Sequence, residues 1–157
     1  MFLVINMYRN RLKNLRENKK LTQTDMSNLL QIDRSQYNKY ENEYALIPIK
    51  HLNTLCNYFN CSFDYILEFT DKLAYKEINK EINSKFSGQR LKEFRKEQKL
   101  TQEKLANILN TVHPVITNYE NGKHLIATPF LYTICKKYHI SADYLLGKTN
   151  NPKYLKS

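Results

Sequence analysis

Slid against itself by 79 residues, the chain matches Arg11–Leu67 to Arg90–Leu146 without a gap, with 22 identities in 57 aligned positions. The matched phrases include Leu21-Thr22-Gln23 with Leu100-Thr101-Gln102, and Tyr40-Glu41-Asn42 with Tyr119-Glu120-Asn121. This repeat constrains the fold more than any other feature. A long unit written twice implies two similar domains, because a solenoid needs at least three stacked units to bury its faces. The 157 residues leave room for two compact domains and little else.

Each copy reads as five short helices. No stretch shows sustained strand alternation, and Gly and Pro are scarce, at three and four. Leu12, Leu15 and, after a break, Leu21 suit one face of a first helix with Asn6 as its cap. Thr22 caps a second helix, its side-chain oxygen accepting from a backbone N–H left free at the helix start. Met26, Leu29 and Leu30 recur on that helix at i, i+3, i+4. Asp33 is placed to cap a third helix with Tyr37 and Tyr40 turned inward. Pro48 suits the start of a fourth carrying Leu52, Leu55, Cys56 and Phe59, and Ser62 caps a fifth. The second copy predicts helices over roughly 88–98, 101–109, 113–121, 128–138 and 141–146. Between the copies, Leu73, Ile78, Ile82 and Phe86 fall near one helical face. The organisation expected is a first domain over 7–68, an amphipathic helical connector over 69–86, a second domain over 87–148, and a short, mobile, basic tail over 149–157.

The formal charge is +10, unevenly spread: net +2 over residues 1–68, +1 over 69–86 and +7 over 87–157. A basic compact domain attracts polyanions through long-range Coulomb steering. No segment has the apolar length to span a bilayer, so no membrane partner is expected. The opening "MFLVI" lacks the basic stretch and length of a signal peptide. Cys56, Cys61 and Cys135 form no CxxC and leave an odd thiol, which points to a reducing, cytoplasmic setting. Cys56 and Cys135 share one repeat position and read as buried small hydrophobes. There is no phosphate-cradling Gly-rich loop, no HExxH and no zinc-ligand spacing, so neither an enzyme nor a cofactor is expected.

The second and third helices of each copy are spaced as a helix-turn-helix. From Gln23 a small residue follows at Ser27, a turn near Gln31, and inward aromatics at Tyr37 and Tyr40. The second copy gives Gln102, Ala106, Asn110, Ile116 and Tyr119. Small side chains at Ser27 and Ala106 let two helices cross closely, and the turn residue suits a left-handed conformation that Asn tolerates better than Gln. With "LTQ" opening, "YEN" closing and a final S-x-D-Y-[IL]-L, both copies resemble the lambda-repressor-like (Cro or XRE type) DNA-binding domain. The fold class implied is all-α: two five-helix lambda-repressor-like helix-turn-helix domains.

The resemblance implies roles residue by residue. The helix-two glutamines, Gln23 and Gln102, would bind DNA phosphate. The third helix would enter the major groove, presenting Arg34, Ser35, Asn38 and Lys39 in the first copy and His113, Pro114, Thr117 and Asn118 in the second. Asn121 and Lys123, just past the helix, suit phosphate contacts. Arg16 with Glu41 and Arg95 with Glu120 would form structural ion pairs that pin helix three against helix one. The copies differ at the turn after helix three, where Gly122 faces Glu43 in the alignment. A carboxylate there, and another at Asp33, would repel phosphate and leave the second copy the safer reader.

The function expected is a sequence-specific, double-stranded DNA-binding transcriptional regulator, a repressor. The alternative is a protein-interaction module, antitoxin-like or dimerising, in which the first domain binds a partner and only the second binds DNA. The partners expected are double-stranded DNA, with a homodimer, or a protein bound through the first domain or connector, left open.

Overall fold

The computed structural model describes residues 6–154. The opening residues 1–5, read above as no signal peptide, and the last three residues of the basic tail lie outside that range. Ten helices are described, five in each of two compact units that divide between Tyr75 and Lys76. The first unit holds α1 (Arg9–Asn18), α2 (Gln23–Leu30), α3 (Arg34–Glu41), α4 (Ile49–Phe59) and α5 (Phe63–Ile66). The second holds α6 (Ser84–Glu97), α7 (Gln102–Ile108), α8 (His113–Glu120), α9 (Thr128–Tyr138) and α10 (Ala142–Leu145). No strand occurs among the described residues.

Local chemistry starts most of these helices. Thr22 and Asp25 form a reciprocal capping box on α2, and Thr101 accepts from the Lys104 N–H on α7. Ser62 and Ser141 cap α5 and α10 by accepting from the Tyr65 and Tyr144 N–H groups. Each unit then buries its own core. In the first, Leu12, Met26, Tyr37, Leu52, Leu55, Cys56, Phe63 and Ile66 are fully buried; in the second, Leu105, Ile116, Leu131, Ile134, Cys135 and Leu146 are. All three cysteines are buried, as their apolar setting implied for Cys56 and Cys135.

Two sequence expectations about capping fail. Asn6 does not cap α1: Tyr8 holds that position, and Asn6 lies two residues earlier with a φ of 65°. Asp33 occupies the cap position of α3 but makes no side-chain cap hydrogen bond. The α1 start is served instead by Glu43. Its carboxylate accepts from the backbone N–H groups of Asn6 (2.9 Å), Tyr8 (2.8 Å) and Arg9 (3.1 Å). The expectation that Glu43 would face phosphate is therefore corrected, because three amides of its own domain claim it.

The expected connector helix is also absent. Residues 69–83 contain no helix, and α6 begins only at Ser84, capped by Asn83. The apolar spacing there is real, but competing partners draw the backbone out. The Ser62 N–H donates to the Leu73 carbonyl at 2.8 Å, and the Tyr75 hydroxyl donates to buried Asp64. In the second unit the Asn79 N–H donates to the Lys148 carbonyl at 2.8 Å. These tertiary hydrogen bonds outweigh a weak helical preference.

Nor is the described part of the tail a loose end. Arg90 donates to the Thr149 carbonyl and to Asn150 Oδ1 (2.7 Å), as Arg11 donates to the Thr70 carbonyl and to Asp71 Oδ1 (2.7 Å). Each guanidinium also lies 4.2 Å over a ring, Tyr65 or Tyr144. The Ser141 N–H donates to Pro152, repeating Ser62 with Leu73 at the 79-residue offset. The repeat thus runs on past the fifth helix in both copies, into stretches read from sequence as connector and tail.

Candidate nucleic-acid interface

The site is built where the start of the second helix meets the outer side of the third. In the second unit the turn between α7 and α8 passes through Asn110 in the left-handed region (φ 51°), and in the first through Gln31 (φ 56°). Ala106 and Ser27 are buried at the crossing, consistent with the need for small side chains there. Pro114, in the first turn of α8, costs no helical hydrogen bond because those N–H groups lack an intrahelical partner anyway.

A chain of hydrogen bonds then fixes the side chains. Arg95 grips Glu120 with Nε (2.5 Å) and Nη2 (3.1 Å) and donates from Nη1 to the Leu100 carbonyl (2.8 Å). Glu120 Oε2 accepts in turn from Gln102 Nε2 at 2.7 Å. A carboxylate can only accept, so it selects the amide's nitrogen side and turns Gln102 Oε1 toward α8. There Oε1 meets His113 Nε2 (2.7 Å) and the Thr117 hydroxyl (3.0 Å). An amide oxygen needs donors, so His113 Nε2 is the donor in this contact, and Nδ1 is the ring nitrogen not used by it.

The first unit repeats the arrangement with different atoms. Arg16 holds Glu41 through Nε and Nη2, both at 2.8 Å, and donates to the Leu21 carbonyl at 3.0 Å. Asn38 Nδ2 donates to Gln23 Oε1 at 3.1 Å, where Thr117 stands in the second unit. Burial would push the Glu41 carboxyl up, but the two hydrogen bonds and the positive charge of Arg16 hold it below the usual carboxylate range. Asp25, at the start of α2, is likewise lowered by the Thr22 backbone N–H and hydroxyl.

Of the residues proposed from sequence, Gln102, His113 and Thr117 are brought into one network, and Gln23 and Asn38 into another. Arg34, Ser35, Lys39, Pro114, Asn121 and Lys123 are exposed, and Asn118 is half-buried on α8. The turn after α8 folds back, with the Lys123 N–H donating to the Asn118 carbonyl at 3.0 Å. Sequence reasoning missed the second task of Glu120. It is a member of the ion pair and also the group that orients Gln102. The two residues stand eighteen apart, and only the fold brings them together.

Residues 10–71 and 88–151 each match the family model of a helix-turn-helix domain. The chain belongs to the helix-turn-helix domain family, twice over. A relative from Bacillus subtilis strain 168, described as the uncharacterized HTH-type transcriptional regulator YobD, is 38% identical over 65 residues. That match covers 41% of this chain and 58% of the relative, so the chain spans little more than half the relative's length. No solved structure matches. Among the described residues, no helix of this tandem helix-turn-helix protein is long and apolar enough to cross a membrane.

Proposed function

We propose that this protein is a cytoplasmic, sequence-specific, double-stranded DNA-binding transcriptional regulator that acts as a repressor. The observation that carries this reading is the same construction made twice: a helix-two glutamine tied to an outer residue of helix three. Gln102 bonds to His113 and Thr117, and Gln23 to Asn38, each backed by an arginine–glutamate pair. Such a frame holds a polar helix face in one register, which base reading needs, since phosphate contacts position and base contacts specify. The family membership and the regulator from Bacillus subtilis support the same reading. On it, Gln102, Asn121 and Lys123 contact phosphate, and Gln23 does so in the first domain.

The test is selection from a random duplex pool by the full chain at near-physiological salt, with enrichment of defined sites as the expected result. Replacing Gln102 and Lys123 together by Ala should then weaken binding to every sequence and flatten its salt dependence. Unchanged affinity and unchanged salt slope would remove both residues from the phosphate set. A second reading rests on the loop after α3, where Tyr44 and Leu46 are 79% and 61% exposed. Lys123 and Leu125 are the aligned residues of the second domain, and Leu125 is only half-exposed. On that reading the first domain docks a protein partner and only the second meets DNA.

A further inference from the structure

The two domains keep one frame and change its whole reading face. Aligned at the 79-residue offset, the nine consecutive positions from Gln31 to Lys39 share no residue with Asn110 to Asn118. This is the longest such run in the repeat, and it covers the turn and the first six residues of the third helix. Directly after it, Tyr40-Glu41-Asn42 and Tyr119-Glu120-Asn121 are identical.

Simple decay of one copy does not explain this pattern, because the geometry survives where the residues change. Asn38 and Thr117 are chemically different, yet each donates to the Oε1 atom of its helix-two glutamine, at 3.1 and 3.0 Å. Glu43, the residue most damaging to DNA binding on sequence grounds, is occupied by three backbone amides at the start of α1. The first domain therefore retains the frame of a reader.

The decisive contrast is at the first residue of the third helix. Arg34 is exposed and carries only donors, which suit the O6 and N7 acceptors of guanine in the major groove. His113 stands at the equivalent position, with Nε2–H committed to Gln102. With Nε2 as that donor, Nδ1 is the ring nitrogen left to accept, which suits the amino group of cytosine or adenine. A donor-only side chain and an acceptor cannot prefer the same base edge.

We infer that the chain carries two different base specificities, so that its target is duplex DNA with two unlike half-sites rather than a palindrome or a direct repeat. This rests on the DNA-reading function proposed above. The first domain selects an element with a guanine read by Arg34, and the second an element with a cytosine or adenine amino group read by His113.

The experiment is the same random-duplex selection, run with the full chain, with Arg34→Ala and with His113→Arg. The wild type should enrich two dissimilar elements. Arg34→Ala should lose preference for one guanine by about tenfold and leave the other element unchanged. His113→Arg should switch one position of the second element to guanine, a gain that misfolding cannot produce. A palindrome, a repeat of a single element, or one element alone would overturn the inference while leaving DNA reading intact. No enrichment by a folded chain would overturn both.

Discussion

The Arg16–Glu41 pair shows how one carboxylate can hold the third helix of a domain against the first. Glu41 is buried, with its side chain 3% exposed, and accepts both Arg16 contacts at 2.8 Å. Replacing it by Gln leaves a guanidinium, itself only 12% exposed, with just the more exposed Glu17 carboxylate at 3.8 Å, a change that typically costs about 3 kcal/mol. The native carboxyl titrates below its unfolded value, so its contribution is fully present above the unfolded value of about 4.3 and is lost as pH falls through the lower native one. Thermal melts should therefore show Glu41→Gln well below wild type at pH 7, with the gap narrowing as pH drops from 5 toward 3. A gap constant across that range would mean that charge is not what Glu41 supplies. The ion pairs were legible because Arg16 with Glu41 and Arg95 with Glu120 fall at the positions where the lambda-repressor-like resemblance implies such a pair. Glu43 was not, since nothing in a linear chain shows that a residue in a left-handed turn (φ 59°) reaches back to the amides of Asn6, Tyr8 and Arg9.

At the scale of elements, the sequence foretold the helices of both copies, because hydrophobic spacing and Ser or Thr caps are local signals. It failed over residues 69–83, where the outcome depends on partners distant in sequence, such as Ser62 for Leu73. The crossing of α6 and α8 gives a sharper test of packing. Gly88 lies on α6, and a Cβ there would sit 2.3 Å from the Tyr119 carbonyl oxygen and 2.6 Å from that of Glu120. Both obstacles are backbone, so no rotamer change relieves them, and the last turn of α8 would have to move. Gly88→Ala should therefore destabilise the second domain by about 3 kcal/mol, the upper part of the range for overpacking. That corresponds to a fall in Tm of roughly 10 °C or more for a domain of this size. Because Glu120 also orients Gln102, DNA affinity should fall well below the melting range. A variant that melts as wild type would show that the two helices can separate slightly at no cost.

The whole molecule is two copies of one design, and the repeat explains which stretches resist attack. Lys148 stands just before the segment read from sequence as a mobile tail, and it is only 2% exposed. Arg90 binds the two residues that follow, Ser141 donates to Pro152, and the Tyr154 hydroxyl donates to the Cys135 carbonyl at 2.9 Å. By contrast, Lys76 and Lys80 are exposed in a non-helical stretch at the division between the units. A protease needs several residues of extended, accessible backbone, so cleavage concentrates where packing and hydrogen bonds leave the chain open. Brief trypsin treatment followed by mass spectrometry should therefore find cuts after Lys76 or Lys80 before any cut after Lys148. The early products would be two fragments of similar size, each retaining its own buried core. The sequence misread the tail because a Lys- and Asn-rich stretch looks solvent-bound whether or not an arginine elsewhere in the fold clasps it. Early loss of residues 149–157 with the 76–83 stretch intact would show that the Arg90 clasp does not hold in solution, and would restore the mobile tail that composition suggested.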